Sequence, residues 1–311
     1  MNFFFAPCLE SIKFPRFVDH FFISGFLLVL RAMEEIFWKA AKNGHVQVVK
    51  EILSNIPNLN VNWVDKHAQT ALSIACESGH DSIVSILLAH PDTDVNLKNI
   101  HGQTPFLSAC YWGYSSCARL LLKDSRVLVT ESDRYGCTPL WRAAFDGHVD
   151  PIKWWIASAW EMDLGDPGDA GFSDAGFSDA IGAAKMMEDW NSADRRMMKK
   201  KALTLLERFK EDPNDTRHQV RLEIGWYDEL AAEVFALVVF VSDGLLQIND
   251  TTTTTPAARF FNIARRLPLE LQMVLCFLQV GSPKETIQGK DSEVAFKSLA
   301  EKLLWSSFFT T

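Results

Sequence analysis

The chain reads as an all-α solenoid of stacked repeats followed by a further helical region, and three observations carry that reading. Glycines recur at Gly44, Gly79, Gly113 and Gly147, spaced 35, 34 and 34 residues apart. A histidine follows three of them (His45, His80 and His148), with Tyr114 in the remaining slot. Upstream of the last three glycines stand Thr70, Thr104 and Thr138, each 34 residues from the next. A unit of this length cannot bury its own apolar face, so only stacking on its neighbours builds a continuous core.

Each unit resolves into two helices and a return. Thr104-Pro105-Phe106 and Thr138-Pro139-Leu140 open a first helix, and Thr70-Ala71-Leu72 does so without the proline. The small pairs Ala40-Ala41, Ala75-Cys76, Ala109-Cys110 and Ala143-Ala144 let neighbouring helices approach closely. The second helix carries its apolar positions at Val48, Val49, Ile52 and Leu53, then at Ile83, Val84, Leu87 and Leu88. Leu120–Leu122 and Ile152, Trp154, Trp155 and Ile156 do the same in the next two units. Val61-Asn62 and Asp94-Val95-Asn96 return the chain to the following hairpin. In these features residues 34–164 resemble ankyrin repeats, in which a Thr-Pro-Leu turn opens the first helix. The resemblance implies an ankyrin-repeat solenoid of four units. The surplus over the usual period of about 33 residues falls in the turn after the second helix, around Pro57 and Pro91.

Four regions follow along the chain. Residues 1–32 hold an apolar run, Phe21–Leu30, behind Lys13 and Arg16. The run is cut short by Asp19 and His20 and lacks the ~20 apolar residues of a membrane span. These residues are expected to be a non-essential extension or a mis-assigned start, with a weak membrane anchor as the alternative. Residues 33–164 hold the four repeats, beginning at Met33. In 165–212 a loop carries Ala170–Asp174 duplicated as Ala175–Asp179, followed by a degenerate fifth repeat. Its first helix is expected over Asp179–Lys185 and its second over Lys201–Lys210, with Leu203, Leu205, Leu206 and Phe209 on one side. Residues 213–311 should be helical and packed on the end of the solenoid. Trp226–Leu246 reads as a buried helix, because Glu229, Glu233 and Asp243 disfavour a membrane span. Thr251–Thr255 is a linker ahead of helices over Pro256–Arg266, Pro268–Val280 and Asp291–Trp305. Asp291 is the expected N-cap of the last, with Val294, Phe296, Leu299 and Leu303 as its apolar positions.

Composition narrows the function. The chain has 311 residues, a net charge of −8 and 48% hydrophobic residues, which leaves room for more than one domain and a sizeable core. An acidic balance without a basic stripe argues against a broad nucleic-acid surface. Of six cysteines, Cys76 and Cys110 occupy the small-pair slot. Cys8, Cys117, Cys137 and Cys276 show no CxxC or Cys/His ligand spacing, so reduced structural thiols and an intracellular location, cytoplasm or nucleus, are expected. The histidines recur once per repeat and so spread along the stack, which predicts no metal site. No phosphate-binding glycine loop, GxSxG, HExxH or kinase motif set is present, and neither catalysis nor a cofactor is expected. Arg195-Arg196 and Lys199–Lys201 have the look of a nuclear import signal, but read more simply as a solvated helix face.

In ankyrin repeats the hairpin tips and the exposed face of each first helix line a concave groove. By that resemblance the tips here are His67 and Gln69, His101 and Gln103, then Tyr135 and Cys137. The helix positions are Glu77 and Ser78, Tyr111 and Trp112, then Trp141, Phe145 and Asp146. The expected partner-binding set is His67, Gln69, His101, Gln103, Tyr111, Trp112, Tyr135, Trp141 and Phe145. Its aromatic members either anchor a partner or pack beneath the C-terminal helices. A second resemblance, Leu267-Pro268-Leu269-Glu270-Leu271 followed by Val274-Leu275, is to the opening of an F-box. It implies docking to an adaptor subunit of a ubiquitin ligase, and its plainer alternative is a proline-started helix in the C-terminal bundle. The expected function is therefore a non-catalytic scaffold that binds a protein partner through the groove, with a ubiquitin-ligase substrate adaptor as the alternative.

Overall fold

A computed structural model describes residues 16–158, 160–162, 164, 179–186, 193–247, 255–282, 284 and 286–309, with side chains between 29 and 300. Cys8, residues 165–178 of the duplicated loop, Thr251–Thr254 and the side chain of Leu303 lie outside them. The described structure is helical throughout. The repeats comprise α1 (Arg16–Lys42) with α2 (Val46–Asn55), α3 (Ala71–Ser78) with α4 (Asp81–Ala89), α5 (Pro105–Trp112) with α6 (Ser115–Leu122), and α7 (Pro139–Asp146) with α8 (Val149–Ala157). The first repeat does not start a helix at Met33: α1 runs unbroken from Arg16, and its buried residues among the described side chains are Phe37, Ala40 and Ala41.

Capping sets the period. Thr70, Thr104 and Thr138 accept hydrogen bonds from the backbone N–H groups of Ser73, Leu107 and Trp141 at 3.0, 3.2 and 3.2 Å. Each thereby satisfies a donor that a helix start leaves orphaned. Gly79, Gly113 and Gly147 close the same helices in the left-handed conformation at φ 75–77°. Backbone freedom is only half of the reason for glycine there. A Cβ on Gly44 would stand 2.8 Å from the ring of His80, one on Gly79 2.5 Å from Tyr114, and one on Gly113 2.5 Å from His148. His80 Nε2 also meets the Lys42 carbonyl oxygen at 2.9 Å. The glycine–histidine phrase is thus an interlock between successive repeats, and Lys199 takes the place of the next ring against Gly147.

The returns are stitched as regularly. Asn62 donates to the Asp92 carbonyl at 2.7 Å and accepts from the Asp94 N–H at 2.9 Å. One repeat on, Asn96 does the same with Arg126 and Leu128, at 2.8 and 2.9 Å. Asp65, Asn99 and Asp133 each accept two backbone N–H bonds that fold the hairpin tip.

A short α9 (Ala180–Lys185) packs on α7 as α7 packs on α5, and α10 (Ala193–Glu211) covers α7, α8 and α9. Its buried face includes Lys199, Ala202, Leu205, Leu206 and Phe209. The solvated-face reading of the basic cluster is corrected at Lys199, which is 2% exposed and donates to the Met186 carbonyl at 2.9 Å. Next, α11 (Pro213–Glu223) sends Arg217 and Arg221 to the Ile156 and Ala157 carbonyls, at 2.9 and 2.8 Å, satisfying the C-terminal end of α8. One core runs unbroken from Phe37 to Val220.

A second core belongs to α12 (Trp226–Ser242), α13 (Pro256–Ala264), α14 (Leu269–Gln279) and α15 (Gly289–Phe309). This bundle does not cap the end of the solenoid. It turns back along the outer helices, where α15 touches α4 and α12 meets α6 through ion pairs. Two further expectations are corrected in α15. Asp291 lies inside its first turn rather than at the N-cap, and Val294 is 67% exposed. Among the described side chains, α15 gives the second core Ala295 and, partly, Phe296 and Leu299.

Candidate functional site

The concave side of repeats two to four holds an open cleft of about 430 Å³, lined by His67, Gln69, Glu77, Asn99, His101, Gln103, Tyr111, Trp112, Tyr135 and Arg142. Seven of the nine expected residues are brought together there. Trp112 and Tyr135 are 49% and 47% exposed, and no described side chain of α11–α15 lines the cleft.

Trp141 and Phe145 do not join them. Trp141 is 6% exposed because its register, three residues past the capping threonine, is that of the buried Ser73 and Leu107. It stacks on Phe145 at 5.0 Å between ring centroids, and Lys199 Nζ lies 4.4 Å from the centre of the Phe145 ring. Phe145 has the groove register of Glu77 and Tyr111, but α10 covers it. The Trp141 indole N–H, buried at that seam, has no hydrogen-bond acceptor among the described residues. Cys137, also expected on a tip, is fully buried.

Polar contacts within the chain hold the cleft walls. Gln69 donates through Nε2 to Glu77, and Asn99 donates to Gln103 Oε1 at 3.1 Å. Arg142 bonds Asp133 Oδ2 through Nη2 at 2.6 Å and Nε at 3.2 Å, and lies 5.5 Å over the Tyr111 ring. Burial works against the Arg142 charge, yet the hydrogen bond to Asp133 and the electrostatic pull of Cys137, Asp133 and Tyr111 together outweigh it and hold the guanidinium above its ordinary pKa. Tyr111 meets Trp112 edge to face at 5.2 Å. Three lining residues stand outside the nine expected: Glu77, expected as a helix position of the groove, and Asn99 and Arg142, which were not expected there. Asn99 is legible as the counterpart of Asp65 and Asp133, while Arg142 breaks a pattern: the same slot holds buried Ile74 and Ser108 in the preceding repeats.

Chemistry of other kinds has little to work with. The described cysteines are free and buried, and burial pushes the Cys137 and Cys117 thiols up to about 11 and about 12. Such thiols stay protonated and unreactive. Among the described residues no group of histidine, cysteine and carboxylate side chains is arranged to hold a metal ion. No helix among them is long and apolar enough to cross a membrane.

The match to a family model agrees with this geometry. A family model for ankyrin repeats, in three copies, matches residues 32–99 and 88–164. A crystal structure of EF0377, an ankyrin repeat protein, is similar over 55% of this chain and 79% of its own, at 26% identity and a TM-score of 0.46. No curated protein matches the chain. With the capped helix pairs, the interlocking glycines and the family match coinciding, residues 32–164 are ankyrin repeats.

Proposed function

We propose that the protein acts without catalysis, as a scaffold that binds a protein partner in the concave cleft of repeats two to four. Ankyrin repeats are protein–protein interaction modules, and the observation that carries the choice of surface is the exposure of Trp112 and Tyr135 in a cleft that α11–α15 leave open. Large aromatic side chains dominate binding energy at interfaces, and no element among the described residues covers these two. Trp112→Ala should remove most capture of the partner, as measured by pull-down with the full chain, while leaving the melting temperature within a degree or two. A stability loss above ~2 kcal/mol would instead mark Trp112 as packing, and unchanged capture would sink the cleft as the binding surface.

A second reading concerns α14. Leu269 and Leu271, 53% and 51% exposed, lie in the segment that resembles the opening of an F-box, and Leu278, 64% exposed, follows on the Leu271 side of the helix. A substrate adaptor of a ubiquitin ligase would use such a face to dock the ligase's adaptor subunit. Leu269→Ala with Leu271→Ala should then abolish co-purification of that subunit without unfolding the bundle. Co-purification that survives both changes would dismiss this reading.

A further inference from the structure

Several hydrogen-bonding groups of the cleft have no partner among the described residues. Gln69 spends its Nε2 on Glu77, leaving Oε1 to accept. Gln103 receives Asn99 on Oε1, leaving Nε2 to donate. The rings of His67 and His101 and the polar atoms of Tyr111, Trp112 and Tyr135 make no side-chain hydrogen bond among the described residues. A helix or a folded surface has already satisfied its backbone groups, whereas an extended segment carries a free N–H and C=O at nearly every residue.

The period of the wall fits such a segment. Gln69 and Gln103 are equivalent positions one repeat apart. Packed helices stand ~8–10 Å apart, and extended chain rises ~3.3 Å per residue, so one repeat spans about three residues. Charge is distributed along the same axis. The repeat-two end presents Glu77. At the rim of the repeat-four end, outside the lining itself, Arg134 is exposed; its guanidinium lies 5.9 Å from the ring centre of the lining residue Tyr135 and forms no ion pair among the described residues. Arg142 beside it is already neutralised by Asp133.

We propose that the cleft takes an extended segment of its partner, with a basic side chain against Glu77 and an acidic one against Arg134. Two repeats separate these residues, which places the two charges about five or six positions apart in the bound segment. The proposal rests on the cleft being the partner site and adds the chemistry and polarity of what enters it.

An array of end-blocked peptides tests it, each with one lysine and one aspartate separated by one to eight serine or threonine residues, in both orders. Probed with the full chain, binding should peak at four or five intervening residues in one order, about tenfold above the reversed order, since like charges brought together are strongly disfavoured. Glu77→Lys combined with Arg134→Glu should transfer the preference to the reversed order, with an unchanged melting temperature showing that the fold survives. Binding that ignores spacing and order, or a preference that the double variant does not move, overturns the proposal. If no peptide binds while Trp112→Ala still abolishes partner capture, the extended segment is wrong and the cleft reading stands. If Trp112→Ala leaves capture intact, the cleft reading fails first.

Discussion

Ala68 shows how finely the repeat constrains single residues. It is the non-glycine residue with positive φ among those described, at 54°, and it sits where Gly102 and Gly136 hold φ 75° and 77°. A side chain costs roughly 1–2 kcal/mol in that conformation, part of which glycine's greater freedom when unfolded offsets. Ala68→Gly should therefore stabilise the protein by about 0.5–1 kcal/mol in urea denaturation, and a loss of stability would contradict the strain. The buried histidines give a pH prediction. Burial lowers the pKa of His148 against the opposing pull of Asp146 and a hydrogen bond to the Tyr111 backbone, and burial lowers that of His90 as well. Each binds fewer protons folded than unfolded, so acid favours the unfolded chain. Stability from this source is intact above the unfolded value of ~6.5 and declines as pH falls through it toward the folded value. The urea midpoint should drop between pH 7.5 and 5.5, and His148→Gln should narrow the drop. Register, rather than residue type, decided Trp141. Its slot was readable as buried from Ser73 and Leu107, and the pull of an aromatic residue toward a binding role hid that.

Helices in this fold are too short to stand alone, and neighbours supply what each lacks. The eight or nine residues of α3 to α8 are well below the ~12–15 that a marginal isolated helix needs. Leu87, 1% exposed on α4, packs into the shared core. Leu87→Ala should cost roughly 2–5 kcal/mol, with hydrogen exchange accelerated in the flanking repeats as well as in its own. A loss below ~0.5 kcal/mol would show that the position is not in the inter-repeat core. Most of these elements were legible because caps are local: threonine before the helix and glycine after it act within one turn of chain. The start of α1 was not, since the run from Phe21 to Leu30 has no proline before Met33 and the helix continues through Gly25. The start of α15 was missed for the converse reason: Asp291 looks like a cap, but the helix begins before it.

At the scale of the molecule, two cores meet across a charged seam. Glu229 on α12 bonds Arg119 at 2.8 Å and Lys123 at 2.5 Å, and Glu233 bonds Lys123 at 2.8 Å. Burial raises the Glu229 pKa, but Lys123 and Arg119 outweigh it and hold the carboxyl below its usual range. The side chains are about a third exposed, so solvent screens them and the cluster contributes on the order of 1 kcal/mol. Arg119→Ala with Lys123→Ala should raise amide exchange in α12 and α15 while sparing α3 to α5. Molar salt should mimic the change. Protection that stays the same in both would mean that apolar contacts, such as Trp154 against Trp226 at 5.8 Å, hold the bundle.

The sequence by itself determined the repeat: its period, its helix caps, its small-residue contacts and the family to which residues 32–164 conform. These are local signals repeated at fixed spacing, and repetition makes each one confirm the others. Tertiary structure alone decided where the C-terminal bundle lies, that α10 rather than a partner covers Phe145, and that Arg142 reaches the cleft wall with Asp133 behind it. The first two depend on contacts between residues dozens to over a hundred positions apart, and the third on a pair that the preceding repeats lack, so no periodicity encodes them. The open cleft follows from both: the repeat builds its wall, and the bundle, turning along the outer helices, leaves it uncovered.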